Sequence, residues 1–114
     1  PAYDLASVLE DARRDVTPAV EAEMIARYVT ASGMGATFED SYWALAAQRN
    51  TRILGVFVRL WKRDGKAGYK KFQPRMWGLL ERDLAHPALA PVKAWFDAHV
   101  PAEKRAEAWA EGAI

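Results

Sequence analysis

Residues 38–63 read FEDSYWALAAQRNTRILGVFVRLWKR, and this stretch decides the fold. At about 100° per residue, Tyr42, Trp43, Ala46, Ile53, Leu54, Phe57, Leu60 and Trp61 fall on one broad side of a helix. Gln48, Arg52, Arg59 and Arg63 fall together on the opposite side. Such a helix, roughly 39 Å long at the usual rise, gives every other element a surface to pack on. Thr37 is expected to cap its start, with Asp40 returning the bond as a short-armed capping box. Lys62 and Arg63 suit the negative end of the helix dipole, and Gly65 is the expected terminator.

The rest of the composition bounds what such a helix serves. The chain has 114 residues, 51% apolar and 27% charged, which is ordinary globular usage and enough for one core. Five Trp imply large rings plugging the places where few elements meet. Sixteen basic and fifteen acidic side chains leave a net charge of +1, so no global field recruits nucleic acid. With no Cys, disulfides, thiol catalysis and zinc ribbons are excluded together, and a reducing, cytoplasmic location is expected. No apolar run reaches transmembrane length, so no membrane partner is expected. The chain enters helical pattern at once, at Pro1-Ala2-Tyr3-Asp4, and without an initiating Met it reads as a piece of something longer.

Outward from the central helix the pattern is helical throughout. Asp4 is the expected N-cap of a first helix reaching about Arg14, with Leu5, Val8, Leu9 and Ala12 at helical spacing. Thr17 then caps a second helix with Pro18 at its first position. Val20, Met24, Ile25 and Tyr28 form the inner stripe of that helix, and Gly33 and Gly35 end it. After Gly68, Tyr69 and Phe72 suggest a short helix, with a restart or kink at Pro74. Met76, Trp77, Leu79, Leu80 and Leu84 carry the pattern to Ala85. Ala90-Pro91 opens a helix whose apolar side is Val92, Trp95 and Phe96, and a last helix runs from Ala102 to about Ala110. No sustained alternating pattern marks a strand. The expected architecture is all-α, one compact multi-helix domain, residues 1–114, around a long central helix.

Candidate site residues are few. His86 before Pro87 and His99 in a helix's last turn have no partners at metal-ligand spacing and read as surface caps. The Gly33-Met34-Gly35 and Gly65–Gly68 turns lack the context of phosphate loops and read as helix punctuation. Arg49, Arg52, Arg59 and Arg63 make a basic row suited to phosphate or carboxylate, or equally to solvation and pairing with neighbouring carboxylates. Asn50 lies in the apolar arc of Trp43, Leu54 and Trp61. Its amide bonds either a nearby backbone carbonyl or belongs to a polar pocket opening between helices.

Three segments carry a resemblance. Pro1–Ser7 with Glu10–Asp15 resembles the segment beyond the metal-binding Asp of aminoglycoside phosphotransferase-like kinases. Ala46–Gly55 followed by Arg63–Lys66 resembles the long helix of one branch of that superfamily, and Leu80–Leu89 its C-terminal helices. That branch is similar to the bacterial N-acetylmuramate/N-acetylglucosamine anomeric kinases. The resemblance implies the C-terminal helical subdomain of a two-lobed, protein kinase-like fold. It implies ATP and Mg for the intact kinase and neither for this chain alone, because the sheet lobe, its lysine and the two catalytic Asp residues would precede Pro1. It implies a sugar acceptor, a missing N-terminal kinase lobe as partner, and no catalytic residue within the chain. Asp4 would support the catalytic loop; Gln48, Arg49, Asn50 and Arg52 would lie on the acceptor or pocket side. An apolar surface left by the missing lobe is expected along the first helix, near Tyr3, Leu5 and Leu9, where it would promote self-association. The competing reading is a free-standing helical module that binds another protein through exposed aromatics.

Overall fold

In a computed structural model, residues 1–108 are described, and all their regular structure is helical. The six α-helices are α1 (Ala2–Leu9), α2 (Pro18–Ser32), α3 (Thr37–Lys62), α4 (Gln73–Leu84), α5 (Ala90–His99) and α6 (Ala102–Ala108). Short 3₁₀ turns at Ala67–Phe72 and Pro87–Leu89 precede α4 and α5. The central helix α3 is 26 residues long and packs against α1, α4 and both 3₁₀ turns. Among the described residues no helix is long and apolar enough to cross a membrane.

The expected arc of α3 is its inner face. Tyr42, Ala46, Leu54 and Trp61 are buried, and Gln48, Arg52, Arg59 and Arg63 are exposed. Two apolar clusters form along this face. Ala6, Leu9, Ile25, Phe38, Tyr42 and Ala46 join α1 and α2 to its first half. Leu54, Trp61, Met76, Leu80, Leu84 and Phe96 join α4 and α5 to its second half. Trp43 packs against both.

The helix ends separate correct expectations from corrected ones. Thr17 caps α2, its hydroxyl accepting the Val20 N–H at 3.2 Å, with Pro18 in the first turn. Gly33 and Gly65 adopt left-handed φ of 71° and 69°, where a side chain would be strained, and stop α2 and α3. Thr37, however, lies inside α3, whose cap is Ala36 with no side-chain bond, so the Thr37–Asp40 capping box does not form. Asp4 is likewise inside the first turn of α1, and Pro1 occupies the cap position. Helix α1 stops at Leu9 rather than near Arg14, because the Asp11 carboxylate accepts the Arg13 N–H at 2.9 Å and closes a turn that competes with the helix. The last helix is described to Ala108; its expected continuation to Ala110 lies outside the described residues.

Three apolar assignments also change. In α2 the inward position belongs to Glu21, 1% exposed, while Val20 is exposed. In α5 Phe96 is buried but Val92 and Trp95 face solvent. Of the apolar surface expected on α1, Tyr3 is exposed but Leu5 is half-buried and Leu9 is core; Val8 is the other exposed apolar residue of that helix.

Candidate functional site

At the middle of α3, between Ala46 of one cluster and Leu54 of the other, Asn50 is completely buried. Its two amide hydrogens go to two carboxyl groups: Nδ2 donates to Asp83 Oδ2 at 2.7 Å and to Glu10 Oε1 at 3.3 Å. Its Oδ1 accepts from Arg49 Nη1 at 3.1 Å, which completes the amide's bonding. Beside it, Glu21 on α2 accepts the Tyr42 hydroxyl at 2.6 Å and is paired with Arg82 of α4. Glu10, Glu21 and Asp83 are each no more than 1% exposed, so three carboxyl groups from three elements lie inside the molecule.

Burial disfavours charge on Glu10 and Asp83. It is the first cause pushing Glu10 up to about 10, followed by the neighbouring Asp83. Burial pushes Asp83 up to about 7 against the lowering effect of its bonds to Glu10 and Asn50. Tyr42 is raised too, by burial and then by its bond to Glu21. As placed, Glu10 Oε2 and Asp83 Oδ1 have no donor. A proton held by Glu10 supplies one, so the pair is a carboxylic acid beside a carboxylate.

The network positions the turn that follows α1. Arg49 Nη1 reaches the Glu10 carbonyl at 3.3 Å. Arg75 Nη1 donates to the Ala12 and Arg14 carbonyls at 3.0 and 3.2 Å, and its other nitrogen pairs with Asp15. Asp11 pairs with Arg13 and is lowered to about 2, first by that hydrogen bond, so near neutral pH it is an acceptor and not a proton donor. The turn borders a cleft of about 460 Å³ that includes Asp11, Arg14, Asp15, Arg75, Gly78 and Arg82. On its other side is a smaller hollow of about 240 Å³ with Arg13, Arg49, Phe57, Tyr69 and Phe72. Cations, carboxylates and apolar walls of this kind can bind and orient a polar small molecule. Among the described residues no three His, Asp or Glu side chains are placed to hold a metal ion.

The sequence-derived candidates are thus dispersed. Arg49 and Asn50 join the network, Asn50 by bonding carboxyl groups rather than a backbone carbonyl, and within the core rather than in an open pocket. Gln48 borders a separate groove between α3 and α5 with Leu89, Val92 and Phe96. Arg52 is exposed and makes no hydrogen bond or ion pair among the described residues. Asp4 borders a shallow hollow with Pro1, Leu5, Val8 and Tyr28. His86 and His99 are caps: His86 Nδ1 accepts the Ala88 N–H at 3.3 Å, and His99 Nδ1 lies 3.0 Å from the Trp95 carbonyl. Sequence reasoning missed Glu10, Glu21, Asp83 and Arg82. The available signal was Glu21 in the arc of Ile25 and Tyr28, an acid where the helical period demands an inward side chain.

No family model matches the chain. It is 49% identical over 107 residues to an N-acetylmuramate/N-acetylglucosamine kinase of Caulobacter vibrioides, covering 92% of this chain and 30% of that protein. It is 32% identical over 102 residues to the N-acetylmuramate/N-acetylglucosamine kinase of Neisseria meningitidis serogroup B, covering 81% of this chain and 30% of that protein. The chain spans about a third of the length of these curated relatives. It is homologous to that third of an N-acetylmuramate/N-acetylglucosamine kinase.

Proposed function

We propose that the chain is the acceptor-side, helical portion of an ATP-dependent amino-sugar kinase of the aminoglycoside phosphotransferase-like type, acting in the cytoplasm. The 49% identity over 92% of the chain carries this reading. ATP and Mg would be held by other parts of the kinase. The sugar would enter the cleft beside the Asp11–Asp15 turn, where Arg14 is unpaired among the described residues and Arg75 fixes the backbone. A carboxylate-bearing amino sugar suits Arg14, and its hydroxyls suit Asp15. Of the candidates on α3, Arg49 and Asn50 act from behind by holding that turn, and Gln48 and Arg52 stand outside it. Asp4 and the shallow hollow around it would receive the catalytic loop, with exposed Tyr3 and Val8 covered by the remaining lobe.

The test is a pair of assays. The 114-residue chain alone should transfer no phosphate from ATP to N-acetylmuramate or N-acetylglucosamine. A longer protein that includes the kinase lobe should do so, with Arg14→Ala raising KM for N-acetylmuramate more than for N-acetylglucosamine. An unchanged KM for both sugars would move the acceptor elsewhere, and no turnover by the longer protein would remove the kinase reading.

A further inference from the structure

The net charge of +1 hides a strong segregation. Residues 49–75 carry nine Lys and Arg against the single acid Asp64, while the rest of the sequence carries seven basic and fourteen acidic residues. The segment is the second half of α3, the turn after it, the Ala67–Phe72 3₁₀ turn and the start of α4. These elements pack on one another, and of the nine basic residues Arg49, Lys66 and Lys71 line two adjoining hollows.

That region is also concave and aromatic. The hollow containing Arg49, Phe57, Tyr69 and Phe72 adjoins a second of about 340 Å³ containing Lys66, Gly68 and Lys71, and the two share Arg13, Tyr69 and Phe72. The rings of Phe57, Tyr69 and Phe72 form one group, with centroids 5.2, 5.9 and 6.3 Å apart. Of the cations lining the two hollows, Arg13 is paired with Asp11, while the two lysines are not spent on carboxylates. The acid Asp64 is taken by Arg63, and neither Lys66 nor Lys71 is in an ion pair among the described residues. Lys71 instead stands over the Phe72 ring at 5.2 Å.

An aromatic floor gives a ring a face to lie on, and point charges at the rim are phosphate ligands. Neither element alone is selective; together they favour a ligand in which ring and dianion are joined. We propose that this double hollow binds a phosphomonoester carried on a ring, its ring against Tyr69 and Phe72 and its phosphate between Lys66 and Lys71, beside the Arg13–Asp11 pair. A sugar phosphate and a nucleoside monophosphate share that chemistry. The site stands without the kinase reading, since it uses only residues of this chain and no phosphoryl transfer.

The test is amide-resonance titration of the 114-residue chain with glucose 1-phosphate, with AMP, and with inorganic phosphate and glucose as the separate halves. Saturable shifts confined to Arg13 and the Lys66–Phe72 turn are expected with at least one phosphomonoester. Affinity for each half should be at least about tenfold weaker. Whichever phosphomonoester binds more tightly identifies the source. Lys66→Glu with Lys71→Glu should abolish the shifts while circular dichroism stays unchanged, as both side chains are exposed. Tyr69→Ala should weaken the phosphomonoester toward the affinity of inorganic phosphate. The proposal is overturned if neither phosphomonoester saturates at millimolar concentration, if inorganic phosphate binds equally well, or if the double reversal leaves the shifts intact.

Discussion

Glu10, just past the end of α1, and Asp83, near the end of α4, are bonded to the same nitrogen of Asn50 and lie within hydrogen-bonding reach of each other. Two buried acids sharing one amide cannot both be ionised cheaply, so the fold retains a proton that the unfolded chain would release.

The sign of the resulting pH dependence follows. Glu10 moves from an ordinary 4.5 to about 10 and Asp83 from 3.8 to about 7 on folding. Between those limits the folded chain binds more protons than the unfolded one. The stabilising contribution is therefore full in acid and lost as pH rises through the folded values. Urea midpoints should fall from pH 6 to pH 9. Glu10→Gln, whose amide donates to Asp83 without a titrating proton, should reduce that fall by at least about half. A wild-type midpoint that is flat across this range would mean the pair does not share a proton.

Asn50 tests the same cluster by removal. Asn50→Leu deprives Glu10 Oε1 and Asp83 Oδ2 of their donor and frees Arg49 from one partner. The cost should be about 3 kcal/mol. Arg52→Ala, two positions on but exposed, should stay within about 0.5 kcal/mol. Equal effects in denaturant titrations would deny Asn50 its central place.

Helix starts offer a contrast between a cap and a residue that only resembles one. Thr17→Ala removes the hydroxyl that accepts the Val20 N–H and should cost about 1 kcal/mol. Asp4→Asn, inside the first turn of α1, forfeits only an exposed charge–dipole interaction, about 0.3–1 kcal/mol at low salt. Raising the salt should erase the second effect and leave the first, and a loss of about 1 kcal/mol in Asp4→Ala that persists at high salt would restore Asp4 as a cap.

What was legible in the sequence was periodic. The arc of α3, the Thr17-Pro18 start and the Gly33 and Gly65 stops are properties of residues within a few positions of one another. Asn50 was recognisable as a buried amide because its place in the arc is also local. Its partners were not, since Glu10 and Asp83 come from distant segments and each, taken alone, reads as a surface acid. The same limit explains α1. Helical spacing extended through Ala12, but Asp11 folds back on the Arg13 N–H, and Arg75 from α4 completes the turn. Val92 and Trp95 were placed inward by their period, yet of that side only Phe96 is buried, its ring edge-on to Trp77 of α4 at 6.4 Å.

Glu21 is the remaining buried acid, and its two oxygens have different partners: Tyr42 on α3 at Oε2 and Arg82 on α4 at Oε1. Tyr42→Phe keeps the ring, its edge contact with Trp43 at 4.9 Å and its packing beside Ala46, and removes only the hydroxyl. Oε2 is then left without a donor in the core, so the change should cost about 1.5–3 kcal/mol, the range for a bond to a charged group. The expected cause can be separated from lost packing by a second background. In Glu21→Leu no carboxylate awaits the hydroxyl, and Tyr42→Phe there should cost less by at least about 1 kcal/mol. Four urea denaturation curves, for the parent, both single variants and the double variant, give the coupling directly. If Tyr42→Phe costs the same in both backgrounds, the hydroxyl–carboxylate bond contributes nothing, and α2 is held to α3 by apolar contacts alone, with Arg82 tying it to α4.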